Sequence, residues 1–267
     1  YETLFNLFLN MLFSSNVDTI QTEEFKDCLL LKKITIPESV KEIRSCAFKG
    51  CINLTEISIL PINIRIMENA FLGIRYLKIT GNIEIIPKKA FKECKSLEYV
   101  SIPDSVKDIR NSAFEECSSL VQIEIPNSVK EIGYNAFKGC SKLREIAIPS
   151  VSEIGNYVFY KCISLEKFSI PSSVTSIGDS AFYECSSIKS IDIPSSVSSI
   201  GNNAFGKCSS LQKIQFINCV SIDNIADYLF FECTKLKNII LPSSIIKIGD
   251  SAFKGCSSLQ KIIVPES

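Results

Sequence analysis

Hydrophobic residues recur along this chain with a period of about 23 residues. Each period carries the phrase Ala-Phe-x-x-Cys-x-x-Leu-x-x-Ile-x-Ile-Pro-x-Ser-Val-x-x-Ile-Gly, and seven of the ten intervals between successive Phe residues are 23 residues long. These Phe residues are Phe25, Phe48, Phe71, Phe91, Phe114, Phe137, Phe159, Phe182, Phe205, Phe230 and Phe253. A fixed period of this size predicts a solenoid, in which each repeat forms one coil, or rung, that buries its apolar face only against neighbouring rungs.

Within a rung, the alternation of apolar and polar residues predicts two extended segments. Leu120, Ile123 and Ile125 keep their character from rung to rung while the residues between them vary, which is typical of a half-buried strand. Pro126 ends that strand because it has no N–H to donate to a ladder. The following Val-x-x-Ile-Gly is predicted to extend along the opposite wall, with Gly133 and its equivalents at a positive φ or a tight passage. The Ala-Phe pair is predicted to form a short helical or 3-10 turn whose Phe fills the interior.

The first residues do not follow the repeat. Residues 1–13 read YETLFNLFLNMLF and lack the basic flank of a secretion signal. We expect residues 1–16 to form a capping helix over the open end of the first rung, with a truncated signal or anchor as the alternative. The solenoid, of about eleven rungs, then occupies residues 17–267 as one domain. The missing initiator Met and the ending within a repeat predict that the chain is a fragment of a longer protein.

Cysteine is the most conspicuous reactive residue, with twelve copies. Ten of them lie three residues after the Phe: Cys28, Cys51, Cys94, Cys117, Cys140, Cys162, Cys185, Cys208, Cys233 and Cys256. A disulfide framework or a metal cluster is one interpretation. Equivalent residues on successive rungs lie roughly 4.8 Å apart with parallel Cβ directions, which fits a disulfide badly, and the chain has no His and no Cys-x-x-Cys pair. We therefore predict a ladder of buried free thiols, with the off-ladder Cys46 and Cys219 more reactive.

The repeat resembles the BspA-like class of leucine-rich repeats. The segment 170–211, IPSSVTSIGDSAFYECSSIKSIDIPSSVSSIGNNAFGKCSSL, carries this resemblance most clearly, and the match extends from about residue 17 to the end. The resemblance implies a right-handed α/β solenoid whose parallel sheet lines the concave face. Several family members are thought to be cell-surface proteins that bind host matrix proteins or other cells, whereas others are intracellular or adjoin unrelated domains.

The resemblance therefore implies a protein-binding solenoid, with a surface adhesin as the leading version. An intracellular structural or scaffolding component is the first alternative. The second is a recognition arm of an enzyme whose catalytic domain lies outside this sequence. The corresponding location is the cell surface or the extracellular space, with the cytoplasm as the alternative.

Composition and charge narrow the function further. The chain has 29 basic and 29 acidic residues, evenly mixed, so we expect no nucleic-acid partner. The sequence has no apolar run of the roughly 20 residues that cross a bilayer. It also has no His and no phosphate-binding or paired-carboxylate motif. We therefore predict a protein without catalytic residues, cofactor or metal.

The variable outward positions of the long strands are the candidate binding residues. They are the second and fourth positions after each first Leu, where small polar and charged residues predominate and where Ile79 and Gly81 also fall. We expect Tyr99, the only aromatic residue in this set, to be the best anchor for a protein partner. The alternative is that the set simply faces solvent. The candidates are Tyr99, Ser101, Gln122, Glu124, Glu145, Lys167, Ser169, Asp192, Lys213 and Gln215.

Three rungs depart from the repeat. The segment 77–83 is three residues short and has lost its Pro-x-Ser turn, the segment 149–151 is one residue short, and the segment 216–225 has two extra residues and no Pro. We interpret these departures as drift that perturbs curvature locally. The alternative is that they shape a binding surface.

Overall fold

The computed structural model of the protein describes residues 17–264 as a stack of parallel rungs with two strand-bearing walls. The long-strand wall contains β2 (Lys33–Ile36), β4 (Glu56–Ile59), β6 (Tyr76–Gly81), β8 (Tyr99–Ser101), β10 (Gln122–Glu124), β14 (Ser190–Ile193), β16 (Lys213–Phe216), β18 (Asn238–Ile240) and β20 (Lys261–Ile263). The short-strand wall contains β1 (Thr19–Ile20), β3 (Glu42–Ile43), β5 (Arg65–Ile66), β7 (Ile85–Ile86), β9 (Asp108–Ile109), β11 (Glu131–Ile132), β12 (Glu153–Ile154), β13 (Ser176–Ile177), β15 (Ser199–Ile200), β17 (Asn224–Ile225) and β19 (Lys247–Ile248).

Strand pairing follows the repeat register on both walls. On the long-strand wall, Ile34 of β2 pairs with Ile57 of β4, and on the short-strand wall Ile43 of β3 pairs with Ile66 of β5. Every pair of strands is parallel, as expected when each strand is separated from its partner by one full coil. The Ile residues of β2 and β4 are buried while the residues between them are exposed or half-buried, so the predicted alternation is confirmed.

A column of Phe rings forms the centre of the stack. All eleven repeat Phe residues stack on their neighbours, with ring centroids 5.1–6.0 Å apart. From Phe25 to Phe230 the side chains are fully or almost fully buried. Each ring removed from water contributes about 2–3 kcal/mol to stability, so this column is a main source of cohesion between rungs.

The predicted helical or 3-10 turn around each Phe is wrong. Within residues 17–264 the Phe segments are hydrogen-bonded turns without helix, so this part of the chain is a β solenoid rather than an α/β one. Left-handed residues two positions before and two positions after the Phe, such as Ser112 (φ 59°) and Glu116 (φ 60°), interrupt the right-handed backbone that a helix needs. The predicted capping helix over residues 1–16 lies outside the described residues.

These left-handed residues turn the peptide groups along the axis of the stack. The Phe114 N–H donates to the carbonyl of Ala136 at 2.8 Å, and the Glu116 N–H donates to the carbonyl of Lys138 at 2.7 Å. The same two bonds recur in most rungs, so the Phe turns form a third hydrogen-bonded ladder between rungs. This ladder gives the backbone groups the partners that a helix would otherwise have supplied.

The repeat Gly after Ile marks a tight passage and not a positive φ. Gly178 lies outside the left-handed region, but a Cβ atom there would lie 2.3 Å from Oδ1 of Asn156 in the preceding rung. That oxygen accepts the N–H of Asp179 at 2.8 Å. Gly133, Gly201 and Gly249 meet an Asn or Asp oxygen of the preceding rung in the same way. Of the two predicted reasons for this Gly, the tight passage is therefore the correct one. The side chain of one rung occupies the space that a Cβ atom would need in the next rung.

Candidate protein-binding face

All ten candidate residues lie on the long-strand wall. Gln122 and Glu124 of β10 pair with Tyr99 and Ser101 of β8, and Ser190 of β14 pairs with Lys213 of β16. Eight of the ten side chains are exposed, whereas Tyr99 and Ser101 are half-buried. This register places candidates of β8, β10 and β16 on one wall, and their role in binding stays a prediction.

The long-strand wall is interrupted near its middle. Strands β2, β4, β6, β8 and β10 form one five-stranded sheet, and β14 and β16 form a separate two-stranded sheet. Between them, the two rungs at residues 143–149 and 165–171 are joined by a single bridge from Glu145 to Lys167. In these two rungs the continuous sheet is therefore absent, and their side chains face an open space on the wall.

That space is the central groove, with a volume of about 950 Å³. Five of the ten candidates line it, more than line any other groove of the described residues. Glu145 and Lys167 bring opposite charges to its walls, and Ala147 leaves room at an outward position. Its lining comprises 122–125, 145–148, 166–169, Pro171 and Ser190.

Phe168 lines the central groove but is not among the residues that the sequence pattern singled out. It occupies a strand position at which most other rungs carry Ile or Val. Its ring packs edge-on against Phe159 and Phe182, with centroids 5.1 and 4.9 Å apart, and it also lines the central groove. The rung that precedes it is one residue short, so a larger core residue and a shorter coil coincide where the sheet is interrupted.

The outward positions in the third long strand were assigned one residue too late. Ile79 is only 2% exposed and belongs to the core, while Gly81 pairs with the inward-facing Ile59. The structure instead places Lys78 and Thr80 at the outward positions of β6. Outward positions counted from the first Leu are wrong in this rung, because the shortened rung shifts the strand by one residue relative to that Leu.

This shift also brings a second tyrosine beside Tyr99, so Tyr99 is not the only aromatic residue on the wall. Tyr76 pairs with Tyr99 across the sheet and is 48% exposed. The Tyr76 hydroxyl donates to Glu98 Oε2 at 2.7 Å, and Arg75 donates to the other oxygen of Glu98 at 2.7 Å. Burial, followed by a hydrogen bond with Glu124, raises the pKa of Tyr99 above its ordinary value. Two phenols, one of them held by the Arg75–Glu98 pair, thus lie side by side on the long-strand wall, with Tyr99 on the strand next to β10 and Tyr76 one strand further from the central groove.

The ladder cysteines are free, and in most rungs the thiol bonds to the preceding rung. Cys117 Sγ donates to the carbonyl of Phe91 at 3.0 Å, and Cys140 Sγ donates to that of Phe114 at 3.2 Å. Burial raises the pKa of the Cys94 thiol to about 12. The buried thiols of the ladder are packing groups and not nucleophiles, since only the thiolate is reactive.

Of the two off-ladder cysteines, Cys219 does not fit the prediction of higher reactivity. It is 5% exposed, and its thiol lies 3.4 Å from the carbonyl oxygens of both Ile193 and Pro194. Cys46 is half-buried. The predicted burial is confirmed for eight of the ten ladder thiols, whereas Cys28 and Cys256 at the two ends are half-buried, and the reactivity prediction is wrong for Cys219, which is buried in the extra-long rung.

We expect only the half-buried thiols, Cys28, Cys46 and Cys256, to react with an aromatic disulfide reagent at pH 8 in the folded protein. A thiol with a pKa of about 12, such as Cys94, is ionised in about one molecule in ten thousand at that pH. The remaining nine thiols should react only after denaturant is added. Rapid reaction of most thiols in the folded protein would contradict the buried ladder.

Other chemistry has little support in this part of the chain. Within residues 17–264, no group of three or more potential metal-ligating side chains converges. No helix in the same range has the length and hydropathy of a bilayer span. The arrangement that the described residues do offer is a wall with two tyrosines and an open groove lined by both charged and apolar side chains.

Comparisons with known proteins agree with this architecture. The family model described as a BspA type leucine rich repeat region matches in six copies, over residues 6–80, 66–153 and 152–267. A leucine-rich repeat protein of T. pallidum is 34% identical, with 61% of this chain and 78% of that chain covered and a TM-score of 0.56. A leucine rich cell surface protein of Faecalibacterium prausnitzii is 27% identical over 94% of this chain and 84% of that one, with a TM-score of 0.47. No curated protein is significantly similar in sequence.

Proposed function

This chain belongs to the BspA-type leucine-rich-repeat family, and from that premise we propose that it is a non-catalytic protein-binding solenoid. Its recognition surface is the part of the long-strand wall that surrounds the central groove. The observation that carries the proposal is the interruption of the sheet at residues 143–171, which gathers five exposed polar side chains around an open space.

Three properties of this wall suit a protein partner. The stack is rigid, so docking costs little ordering of the wall itself. Tyr76 and Tyr99 supply the aromatic contact area that contributes much of the energy at protein interfaces. Glu145 and Lys167 supply charges of both signs, which set the orientation of a partner more than its affinity.

In the leading version of the proposal, the partner is a host matrix protein or cell-surface protein and this chain is a surface adhesin. The resemblance to family members of that kind supports this version. A cytoplasmic scaffolding role is the second candidate, and one observation favours it: nine buried thiols are free, as is usual in a reducing compartment.

Labelling of intact cells separates these two versions. Cells of the native source would be treated with a reagent that does not cross membranes and modifies amines, since the described part of the chain has many exposed Lys side chains. Labelled protein on intact cells supports the adhesin. Protein that is labelled only after lysis contradicts the adhesin and supports the scaffold.

We expect the triple variant Tyr99→Ala, Gln122→Ala, Glu145→Ala to bind a partner captured from a host matrix extract about 10–100-fold more weakly. The reason is the loss of one aromatic anchor and two polar contacts beside the central groove. Affinity would be measured by surface plasmon resonance, and circular dichroism would show that the variant is folded.

The control is the triple variant Tyr134→Ala, Glu131→Ala, Glu153→Ala, in which one Tyr and two exposed polar side chains are removed away from the long-strand wall. It should bind as the original protein does. Equal affinity of the original protein and the Tyr99, Gln122, Glu145 variant would remove the central groove from the proposal.

A further inference from the structure

A second groove opens on the same wall, two rungs nearer the C-terminus. It lies between β16 and β18, has a volume of about 750 Å³, and is separate from the central groove. Strand β16 pairs with β14 and β18 pairs with β20, so β16 and β18 face each other without belonging to one sheet. We call this space the C-terminal groove; its lining comprises 212–220, 237–238 and 240–243.

The extra-long rung gives this groove an apolar rim. The interval from Phe205 to Phe230 has 25 residues, and the extra length forms a bulge after β16. Cys219 anchors the bulge because its buried thiol points at the carbonyl oxygens of the preceding rung. Val220, the next residue, is consequently turned outward and is 74% exposed.

Two further apolar side chains of the lining are open to solvent. Ile217, in the same bulge, is 43% exposed, and Ile240, at an outward position of β18, is 58% exposed. Together with Val220 they line a single groove. Apolar side chains that cluster on one concave surface mark a binding site more often than isolated ones do.

The same rungs carry a row of lysines. Lys213 and Lys261 begin β16 and β20, and Lys189 and Lys237 immediately precede β14 and β18. Within residues 17–264 none of these four forms an ion pair. Near the other end of the wall, by contrast, Lys33 pairs with Glu56 at 2.7 Å. The four strands β14, β16, β18 and β20 contain one acidic residue, Asp192, so the row has an excess of positive charge.

We propose that the C-terminal groove binds an extended acidic segment of a protein partner in which apolar side chains lie between carboxylates. The apolar side chains cover Ile217, Val220 and Ile240, and the carboxylates pair with Lys213 and Lys237. This inference rests on the proposed function, since it adds a second site of different chemistry to the same protein-binding wall.

The spacing of the lysines favours a peptide over a small amphiphile with one carboxylate. Successive rungs lie roughly 4.8 Å apart, so the row from Lys189 to Lys261 spans about 14 Å. One carboxylate reaches one or two of these ammonium groups. An acidic segment presents a carboxylate about every 7 Å when alternate residues are acidic, and can therefore pair with several of them.

The test uses a fluorescent peptide in which Leu and Asp alternate, and measures its binding by anisotropy. Two control peptides carry Lys in place of Asp, or Ser in place of Leu. We expect only the Leu/Asp peptide to bind, and we expect the double variant Lys213→Glu, Lys237→Glu to weaken it about tenfold, in proportion to two lost exposed ion pairs. Ile240→Gln should weaken it by about fivefold, while raising the salt concentration should weaken it further.

Two matched variants keep the test specific to the groove. Lys247→Glu and Ile246→Gln make the same kinds of change at exposed positions outside the lining of the groove, and both should bind the peptide as the original protein does. Three results would each overturn the inference. They are equal binding of the Lys-containing peptide, no effect of the Lys213 and Lys237 changes, and binding of dodecanoate but not of the peptide. The central groove is tested separately with the Tyr99, Gln122, Glu145 variant, so either site can fail alone.

Discussion

Replacing Phe137 with Ala is expected to lower the free energy of unfolding by about 4 kcal/mol. Phe137 is fully buried and stacks on both sides, on Phe114 at 5.6 Å and on Phe159 at 5.7 Å. Its loss removes one ring from the column and leaves a cavity between two rungs that the hydrogen-bonded turns hold in place. The rungs on either side therefore cannot close over the gap, and the full cost of the cavity should appear in urea denaturation followed by circular dichroism.

The matched control is Phe253→Ala at the last complete Phe turn. Phe253 is only partly buried and stacks on one neighbour, Phe230, at 5.4 Å. We expect it to cost about half as much as Phe137→Ala, because about half as much contact is lost. If both substitutions lowered the free energy of unfolding equally, the cost would not depend on how many neighbouring rings each Phe contacts.

Gly81→Ala should be nearly as damaging, with an expected loss of about 3 kcal/mol. Gly81 ends β6 with a φ of 100°, and a Cβ atom there would lie 2.2 Å from the carbonyl oxygen of Ile59. That oxygen belongs to the backbone of the neighbouring strand, so it cannot turn away as a side chain could. The substitution therefore combines backbone strain with a clash that forces two strands apart, and thermal denaturation should show a lower midpoint.

Gly73→Ala separates these two causes. Gly73 has a similar φ of 96°, but its added Cβ atom would meet Gly50 N at 3.3 Å, a contact that small shifts relieve. Several residues with side chains, such as Glu93 and Glu116, are left-handed at the equivalent turn position. We expect Gly73→Ala to cost about 1 kcal/mol. If the two variants were equally stable, the close approach of Ile59 would not be the reason for Gly81.

The spacing of apolar residues predicted the parts of the fold that depend on burial. The Phe column, the alternation in strands such as β2 and β4, and the buried thiols all follow from side chains that must leave water. The resemblance to BspA-like repeats is confirmed by the family match along the chain. These features depend on residue type at a fixed period, which a sequence displays directly.

The turns could not be predicted in the same way. Gly or Asn occupies the left-handed positions near the Phe in some rungs, but other rungs have residues as varied as Ser112, Glu116 and Tyr157, so residue type gives only a partial sign of the conformation. Their conformation is imposed by hydrogen bonds to the next rung, such as that from Glu116 N–H to Lys138, and not by local preference. Such bonds between residues about 23 positions apart override the helical tendency of an Ala-Phe pair.

The candidate site was predicted in outline and missed in detail. Counting outward positions placed Gln122 and Glu145 correctly, because in both rungs the distance from the Phe to the strand is the usual eight residues. The same count failed for Tyr76, because a shortened rung shifts the register of β6 by one residue. The interruption of the sheet coincides with the Phe168 ring packed edge-on against Phe159 and Phe182, and the sequence does not display that packing.

The thiol-to-carbonyl contact has a consequence for how such a chain can change its length. Cys140, for example, donates to the carbonyl of Phe114, and its counterpart Cys185 meets the carbonyl of Phe159 in the same geometry. A coil inserted by duplication between two others would therefore find the same acceptor on one side and offer the same donor on the other. Whole coils can be gained or lost by recombination, and the reach of the wall adjusted, without redesigning any interface.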